Sequence, residues 1–377
     1  MTNKERLDKT FNGKKVDRFA VTSLYSHLYF FDHFTEITEL PEEEFHKLLY
    51  KKPEEFFYIY KIFLEKVQFE IIEPPFAMPR EERENIEFVK KNNKLFKYNR
   101  KTDEYSEIKK TISGHATDYK ANEVQYIFDK EDIKKIKIKK AEDIIESGIL
   151  DYAKIIVEKI GKNEFVLIPG LVGILWECVH YLGQTNTLLM LAENNDLIEC
   201  LSKVLLEQQI EKIKAYSSTG ADAIFIDDAM AYSDVISVKH YEKFVLPNTT
   251  EMVREIHRSG KKAILIYFGG VMDRLELIVS TGADGLLCET SMKNYKNEID
   301  QIVKKVGDKI VIFGNIDPIK ILEQGTDFEL EDEIKKQVEV GKRAKGFIIS
   351  TGSPITPGTS LEKVMKFIDL GRKIGRI

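Results

Sequence analysis

The chain has 377 residues, of which 43% are hydrophobic and 32% are charged, and its net charge at pH 7 is −5. This composition is typical of a folded globular protein, and the even spread of Lys and Arg gives no footprint for nucleic acid. The three cysteines form no CxxC pair, so we expect no disulfide framework and a reducing, cytoplasmic location. The charged N-terminus and the strand-length apolar runs lead us to expect neither a signal peptide nor a membrane span.

In the first part of the chain, short apolar runs alternate with amphipathic stretches. Residues 18–25 predict a first strand, residues 41–67 a helix with a break at Pro53, and residues 68–75 a second strand. Between 86 and 113 apolar and polar residues alternate around a KNN turn, which is typical of an antiparallel ribbon. This ribbon interrupts the α/β pattern, so it predicts an insertion at about residues 80–125. A helix is expected again over residues 141–161.

The second part of the chain is more regular. Amphipathic helices fill the gaps between its apolar runs, and residues 360–375 form the last of these helices. Six further strands are predicted, at residues 164–170, 222–228, 262–270, 284–290, 309–317 and 346–352. Continuous β-branched runs indicate strands that are buried on both faces, and hence a parallel sheet.

Eight strands, each followed by helical sequence, favour an α/β fold of the (β/α)8 TIM-barrel class, with residues 1–377 as one domain that has an N-terminal extension and the β-ribbon insertion. The alternative is an open, doubly wound sheet. No GxGxxG fingerprint follows a strand, which argues against a dinucleotide site.

Polar residues stand where most of these strands end, and the carboxyl ends of barrel strands form the active-site face. The stretch ADAIFIDDAM (221–230) is the clearest case, because its buried run stops at two adjacent acids. Side chains alternate along a strand, so one acid faces inward and the other faces the outer layer. The residues singled out at the strand ends are His27, Glu73, Gly170, Asp227, Asp228, Tyr267, Phe268, Glu289, Asn315, Asp317 and Ser353.

Simpler structural roles compete with a functional one for several of these residues. Asp227 and Asp317 are both suited to cap a following helix, and Glu289 to pair with a nearby lysine. His27 is equally suited to a core or a site. The convergence of polar groups from five strands on one mouth favours a site. The set is rich in acids and amides, so it suits a polar heterocycle better than a phosphate.

Several stretches together resemble the uroporphyrinogen decarboxylase superfamily. The resemblance rests on residues 220–247, 282–290, 306–318 and 346–364, with a looser match at 169–183. It implies a (β/α)8 barrel and either of two activities, which are decarboxylation of uroporphyrinogen or methyl transfer to or from corrinoid proteins. The decarboxylases carry an arginine-rich N-terminal motif, whereas SLYSHLYFFDH (23–33) has no arginine here, and eight substrate carboxylates require cationic partners.

The zinc-dependent methyltransferases of this superfamily place HxCG at the end of the fifth strand and a cysteine after the eighth. The matching positions here are Ile266, Phe268 and Ser353, so the resemblance predicts no metal site and no zinc. The chain is therefore most similar to the zinc-free members that move a methyl group between a corrinoid (cobalamin) protein and tetrahydrofolate.

The resemblance implies a corrinoid carried by a partner protein, since the chain has no DxHxxG corrinoid-binding motif, and tetrahydrofolate as the substrate. The expected catalytic residues are Asp227, Asn315 and Asp317, which would hydrogen-bond the edge of the pterin ring or help proton transfer near N5. Asp228, Glu289, Glu73, Tyr267, Phe268, Gly170, Ser353 and His27 are the expected substrate-binding residues.

Three alternatives remain open. A divergent uroporphyrinogen decarboxylase would need basic residues at the mouth, for which KKNNKLFKYNRK (90–101) in the insertion is a source. A non-catalytic barrel would bind a ligand or a corrinoid protein only. A different methyl acceptor, such as an amine or a phenol, is the third. A homodimer is also consistent with the resemblance, whereas no partnership with nucleic acid or membrane is expected.

Overall fold

In the computed structural model of the protein, eight parallel strands surround a common axis, which confirms the predicted TIM-barrel class. The structure describes residues 1–92, 94–108, 126–127, 129–193 and 196–377. The strands of these regions, numbered in chain order, are β1 (Ala20–Thr22), β2 (Ile71–Ile72), β3 (Ile86–Lys91), β4 (Lys94–Asn99), β5 (Glu104–Glu107), β6 (Phe165–Val172), β7 (Ala223–Asp227), β8 (Lys262–Tyr267), β9 (Gly285–Cys288), β10 (Val311–Phe313) and β11 (Phe347–Ser350).

Helices cover the outside of the barrel and connect its strands. They are α1 (Asn3–Phe11), α2 (Ser26–Asp32), α3 (Phe34–Thr38), α4 (Glu42–Leu48), α5 (Pro53–Val67), α6 (Arg80–Asn85), α7 (Lys130–Ile133), α8 (Ala141–Glu146), α9 (Asp151–Ile160), α10 (Ile174–Leu182), α11 (Gln184–Ala192), α12 (Asp196–Ser217), α13 (Val238–His240), α14 (Leu246–Arg258), α15 (Leu275–Ser280), α16 (Ile299–Val306), α17 (Asp327–Gly341) and α18 (Leu361–Ile374). Two π-helical turns lie at Tyr241–Val245 and Pro318–Glu323. Among the described helices, none has the length and apolarity to cross a membrane.

The barrel strands pair in the order β1-β11-β10-β9-β8-β7-β6-β2. Their side chains divide into two buried clusters because successive residues of a strand point to opposite faces. In β7, Ala223 and Phe225 belong to the cluster inside the barrel, whereas Ile224 and Ile226 belong to the cluster between strands and helices. Helix α1 contributes Leu7 and Phe11 to the inner cluster, so its apolar face packs into the barrel core.

The barrel closes between β1 and β2, which have only three and two residues. The backbone N–H of Glu70 donates to the carbonyl of Val21 at 3.1 Å. The Glu70 side chain is completely buried and accepts hydrogen bonds from Arg6 at 2.7 Å and from Arg18 at 2.6 Å. Arg372 of α18 lies 3.6 Å from the same carboxylate. The Glu70 carboxylate therefore connects the start of β2 with α1, with the residues before β1 and with α18.

The structure shortens or divides several predicted elements. The strands predicted at 18–25 and 68–75 contain only three and two paired residues, Ala20–Thr22 and Ile71–Ile72. The chain leaves the first strand because Tyr25 takes a left-handed conformation with φ 62° just before α2. Pro74 and Pro75 have no N–H to extend the second. The prediction of one helix over 141–161 is wrong, because Gly148 with φ 78° separates α8 from α9.

The predicted ribbon is an antiparallel sheet of three strands in the order β3-β4-β5, separate from the barrel. It begins at Ile86 as expected, and α6 precedes it. Asn93 of the predicted turn, and the parts of the predicted ribbon and insertion at 109–125, lie outside the described residues.

We expect Glu70→Ala to lower the free energy of unfolding by about 3–5 kcal/mol, because it leaves buried guanidinium groups without their carboxylate. Urea denaturation followed by circular dichroism measures this change. Glu331→Ala is the matched control, since it removes an i,i+4 partner of Lys335 on an exposed helix face, and its unfolding curve should overlay that of the wild type. Equal curves for both variants would contradict the role of Glu70 in closing the barrel.

Candidate active site at the barrel mouth

A cavity of about 450 Å³ opens at the carboxyl ends of β1, β2, β6 and β7. Its volume is in the range of small-molecule sites. Its walls are mostly apolar and aromatic, and the residues that line it are Tyr25, His27, Leu28, Phe31, Leu49, Pro75, Phe76, Ala77, Met78, Pro169, Gly170, Leu171, Val172, Phe225 and Asp227. Asp227 is the single carboxylic acid among the residues of this lining, which include neither lysine nor arginine.

A bulge in β6 shapes one wall of the cavity. The pairing of β6 with β7 shifts register between Ile168 and Leu171, so Pro169 and Gly170 leave the ladder. Gly170 has φ 94°, a conformation that favours glycine. A Cβ atom at this position would lie 2.6 Å from the ring of Phe76. Gly170 therefore permits the close approach of the Phe76 ring to the backbone of β6.

Asp227 is the inward-facing acid of the pair. It follows Phe225 by two residues, so its side chain points to the barrel interior, and it lines the cavity. The Tyr25 hydroxyl donates a hydrogen bond to Oδ2 of Asp227. Its Oδ1 is buried and has no hydrogen-bond partner among the described residues. Burial raises the pKa of the Asp227 carboxyl to about 6, although the Tyr25 hydrogen bond acts in the opposite direction.

Asp228 lies outside the barrel interior and does not line the cavity. Its side chain is completely buried next to Gly173, where a Cβ would lie 2.1 Å from Oδ1. The Thr249 hydroxyl of α14 donates a hydrogen bond to Oδ2 of Asp228 at 3.4 Å. Burial and the charge of Asp227 raise the pKa of Asp228 to about 7.

Glu73 and His27 stand beside Tyr25. Glu73 is completely buried, accepts a hydrogen bond from the Ser26 N–H at 3.1 Å, and lies 3.5 Å from Nδ1 of His27. Burial raises the pKa of the Glu73 carboxyl, and the neighbouring His27 lowers it. His27 lines the cavity, whereas Glu73 lies behind this wall.

A second group of expected residues gathers after β9, β10 and β11. Tyr295 donates a hydrogen bond to Glu289, and Ser353 is a further hydrogen-bond partner of this carboxyl. Burial raises the pKa of Glu289, the two hydrogen bonds lower it, and the charge of Asp317 raises it further. This group is separate from the lining of the mouth cavity described above.

Asn315 and Asp317 make local structural contacts. The Asn315 amide donates to the carbonyl of Asn297 at 2.8 Å, and its backbone N–H donates to Gln337 at 3.0 Å. Asp317 caps the turn that follows, accepting from the N–H groups of Ile319 and Lys320 at 2.9 Å. Both residues line a smaller polar cavity of about 190 Å³.

The end of β8 presents one aromatic residue to each side. Tyr267 points to the outer layer, where its hydroxyl lies 2.8 Å from that of Tyr241. Phe268 packs against the inner cluster, with its ring 5.9 Å from that of Tyr25. Ile266 is also an inner residue. Of the expected stackable wall, the structure brings Phe268 towards the mouth and places Tyr267 behind the strand.

Phe76, Phe31 and Phe225 were not predicted to line a cavity, and the hydrogen bond between Tyr25 and Asp227 was not predicted either. Pro169-Gly170 within an apolar run was an available signal, because this pair is typical of a bulge. The position of Phe225 in β7 was a second signal, since an inward-facing core residue there places Asp227, two residues on, inside the barrel. Among the described residues, no group of three His, Cys, Asp or Glu side chains is arranged to hold a metal ion.

The pH dependence of stability provides a test of the burial of Asp228. Its pKa in the folded protein, about 7, lies above the ordinary value of 3.8. The folded state therefore holds the proton more tightly, and this residue costs about 1.4 kcal/mol of stability for each pH unit as the pH rises between these values. We therefore expect the free energy of unfolding of Asp228→Asn to rise relative to that of the wild type as the pH increases. The difference between the two proteins should grow by roughly 2–3 kcal/mol from pH 5 to pH 8.

Urea denaturation at these two pH values measures the difference. The control is Asp300→Asn, which changes an exposed aspartate on α16 that pairs with Arg343. The control should follow the wild type at both pH values. A difference between Asp228→Asn and the wild type that stays constant with pH would contradict the buried, proton-binding carboxyl.

Comparison with known proteins agrees with this architecture. Methylcobamide:CoM methyltransferase MtbA from Methanosarcina acetivorans is 26% identical over 242 residues, which are 63% of this chain and 67% of the relative. A uroporphyrinogen decarboxylase from Vesicomyosocius okutanii is 26% identical over 247 residues, with the same shares. The solved structure of a methyltransferase from Methanosarcina mazei has the same fold, with a TM-score of 0.70 over 99% of both chains at 20% identity. Residues 117–374 match the model of the family described as uroporphyrinogen decarboxylase (URO-D), and the chain belongs to this family.

Proposed function

We propose that the protein is a corrinoid-dependent methyltransferase that moves a methyl group between a corrinoid on a partner protein and tetrahydrofolate. The observation that carries this proposal is the single carboxyl group of Asp227 in an otherwise apolar and aromatic lining. The similarity to a methylcobamide:CoM methyltransferase supports the corrinoid half of the reaction. The lining supports the identity of the second substrate.

A pterin ring suits this lining because it is flat and carries N–H donors along one edge. The partly exposed rings of Phe76 and Tyr25, which line the cavity, offer stacking surfaces. The Asp227 carboxyl offers acceptors for the donor edge. In this proposal Asp227 binds the pterin or exchanges a proton with it. Asn315 and Asp317 contribute indirectly, by fixing the ends of the neighbouring strands, and Glu289 and Ser353 are secondary candidates.

The decarboxylase alternative is less well supported by the electrostatics of the cavity. Uroporphyrinogen carries eight carboxylates, and burial of such a ligand requires cationic partners. The described residues that line the cavity include Asp227 but no lysine or arginine. Two lysines of the separate sheet already pair with carboxylates, Lys90 of β3 with Glu43 and Lys94 of β4 with Glu107.

A barrel that only binds a partner is the third possibility. Asp227 argues against it, since its carboxyl has a buried, unsatisfied oxygen, as that of Asp228 also does, and of these two acids Asp227 is the one that lines the cavity. A purely structural residue at this position would be more stable as an amide or a hydrocarbon. The acid is therefore better explained by chemistry in the cavity.

The direct test mixes the purified protein with cob(I)alamin and methyltetrahydrofolate without oxygen and follows the Co(I) absorbance. We expect protein-dependent decay into the methylcobalamin spectrum. Asp227→Asn should lower kcat/KM about 100-fold, because it removes a proton-exchanging group. Asp228→Asn is the matched control, since it changes the neighbouring buried acid outside the cavity, and it should stay within about threefold of the wild type.

Calorimetric titration with tetrahydrofolate separates the two halves of the proposal. Binding that is lost in Asp227→Asn supports the pterin in the cavity even where free cobalamin reacts slowly. A flat Co(I) trace together with no binding of tetrahydrofolate would contradict the folate assignment. Uroporphyrinogen and other methyl acceptors would then take precedence.

A further inference from the structure

Tyr25 occupies a conformation that needs an explanation. It is a non-glycine residue with φ 62°, at the point where the chain turns from β1 into α2. Its ring reaches across the barrel mouth to within 5.0 Å of Phe225 and 5.9 Å of Phe268, measured between ring centroids. Left-handed backbone is strained at a tyrosine, and strain of this kind is frequent at functional sites.

The Tyr25 hydroxyl makes the two oxygens of Asp227 unequal. It donates its hydrogen to Oδ2, while Oδ1 has no partner in the described part of the chain. Burial raises the pKa of the Tyr25 phenol well above its ordinary value, so the phenol keeps its proton throughout the range in which Asp227 titrates. Oδ2 is therefore occupied by a permanent donor, and a proton that binds Asp227 goes to Oδ1.

The ionisable groups around this pair are two further acids, one histidine and, in the outer layer, one arginine. Asp228 follows on the same strand, Glu73 faces Tyr25 from the end of β2, and His27 lines the same cavity. The charge of Arg274, in the outer layer, lowers the pKa of Asp228. Burial in this setting disfavours the charged form of Asp227, and this keeps its protonated form accessible near neutral pH.

We propose that Tyr25 is a positioning residue, which occupies Oδ2 of Asp227 so that Oδ1 alone exchanges a proton with the substrate in the mouth cavity. This role rests on the proposed methyl transfer. From methyltetrahydrofolate to a reduced corrinoid, the bond between N5 and the methyl carbon breaks and N5 keeps the electron pair. The electron pair of the reduced corrinoid forms the new bond to the methyl carbon. The proton from Oδ1 goes to N5, and the reverse reaction returns it.

The first readout needs no methyl transfer. The pKa of Asp227 is measured in the ligand-free protein by 13C NMR of labelled aspartate, with the signal assigned by its loss in Asp227→Asn. In Tyr25→Phe we expect proton affinity at Asp227 to rise about tenfold from the wild-type midpoint near pH 6, because the bond that stabilises the carboxylate is gone. Tyr241→Phe, which removes a comparable buried hydroxyl pair in the outer layer, should leave this midpoint unchanged.

The second readout is the pH profile of methyl transfer from methyltetrahydrofolate. In the wild type, kcat should fall as the pH rises through the Asp227 midpoint, since the proton-donating form is lost. In Tyr25→Phe the falling limb should move to higher pH, while the low-pH plateau drops about twofold because the proton is then shared between the two oxygens. A purely structural loss would lower the plateau without moving the limb.

Incorporation of 3-fluorotyrosine at position 25 supplies a change in the opposite direction. Its more acidic phenol donates a stronger hydrogen bond, so the Asp227 midpoint should fall and the low-pH plateau should be retained. An Asp227 midpoint that moves in neither Tyr25 variant would overturn the role of Tyr25 and leave the methyl transfer intact. Absence of methyl transfer in the wild type, with the NMR shifts present, would overturn the proposed function instead.

Discussion

The completely buried carboxylate of Glu70 is the interaction on which the shape of the mouth depends. β1 and β2 pair with β11 and β6 over only three and two residues, so backbone pairing alone leaves a weak seam between them. The contacts of Glu70 with Arg6 and Arg18 hold this seam. Because the seam is held from the side of α1, the chain is free to leave both strands early. Tyr25 and Glu73 then reach the mouth beside Asp227, where longer strands would have carried the backbone past it.

Buried carboxyl groups also set the electrostatics of this end of the barrel. Burial raises the pKa of Asp227, Asp228 and Glu73 alike. Such groups destabilise the folded protein at neutral pH. Because side chains alternate along β7, Asp227 faces the barrel interior and Asp228 faces the layer between strands and helices. Asp228 is shielded among Gly173 and Thr249, whereas Asp227 meets the cavity. Only the second of these positions gives a ligand access to the carboxyl group.

The sequence determines much of this arrangement through local rules. Eight apolar runs specify the barrel, and the two-residue period of AIFID places Asp227 inside once Phe225 is recognised as a core residue. The left-handed turn at Tyr25 is different, because tyrosine has no intrinsic preference for that conformation and its contacts across the mouth are between residues far apart in the chain. Asn315 and Asp317 illustrate a second limit. Their amide and carboxyl groups suit a ligand equally well, and only the structure shows that they also bond to Asn297, Gln337 and the following turn.

The inner face of β8 connects these observations to the choice of reaction. Ile266 and Phe268 present hydrocarbon to the barrel interior, and neither side chain has a lone pair to offer a metal. A thiol acceptor is commonly activated by binding to a metal, which removes its proton. An amine acceptor such as pterin N5 needs a different kind of help, because its proton must be accepted or supplied while the methyl group moves. A carboxyl group that titrates near neutral pH, with one oxygen held by Tyr25, meets this need. The apolar β8 and the acidic β7 are thus complementary features of one proposed site.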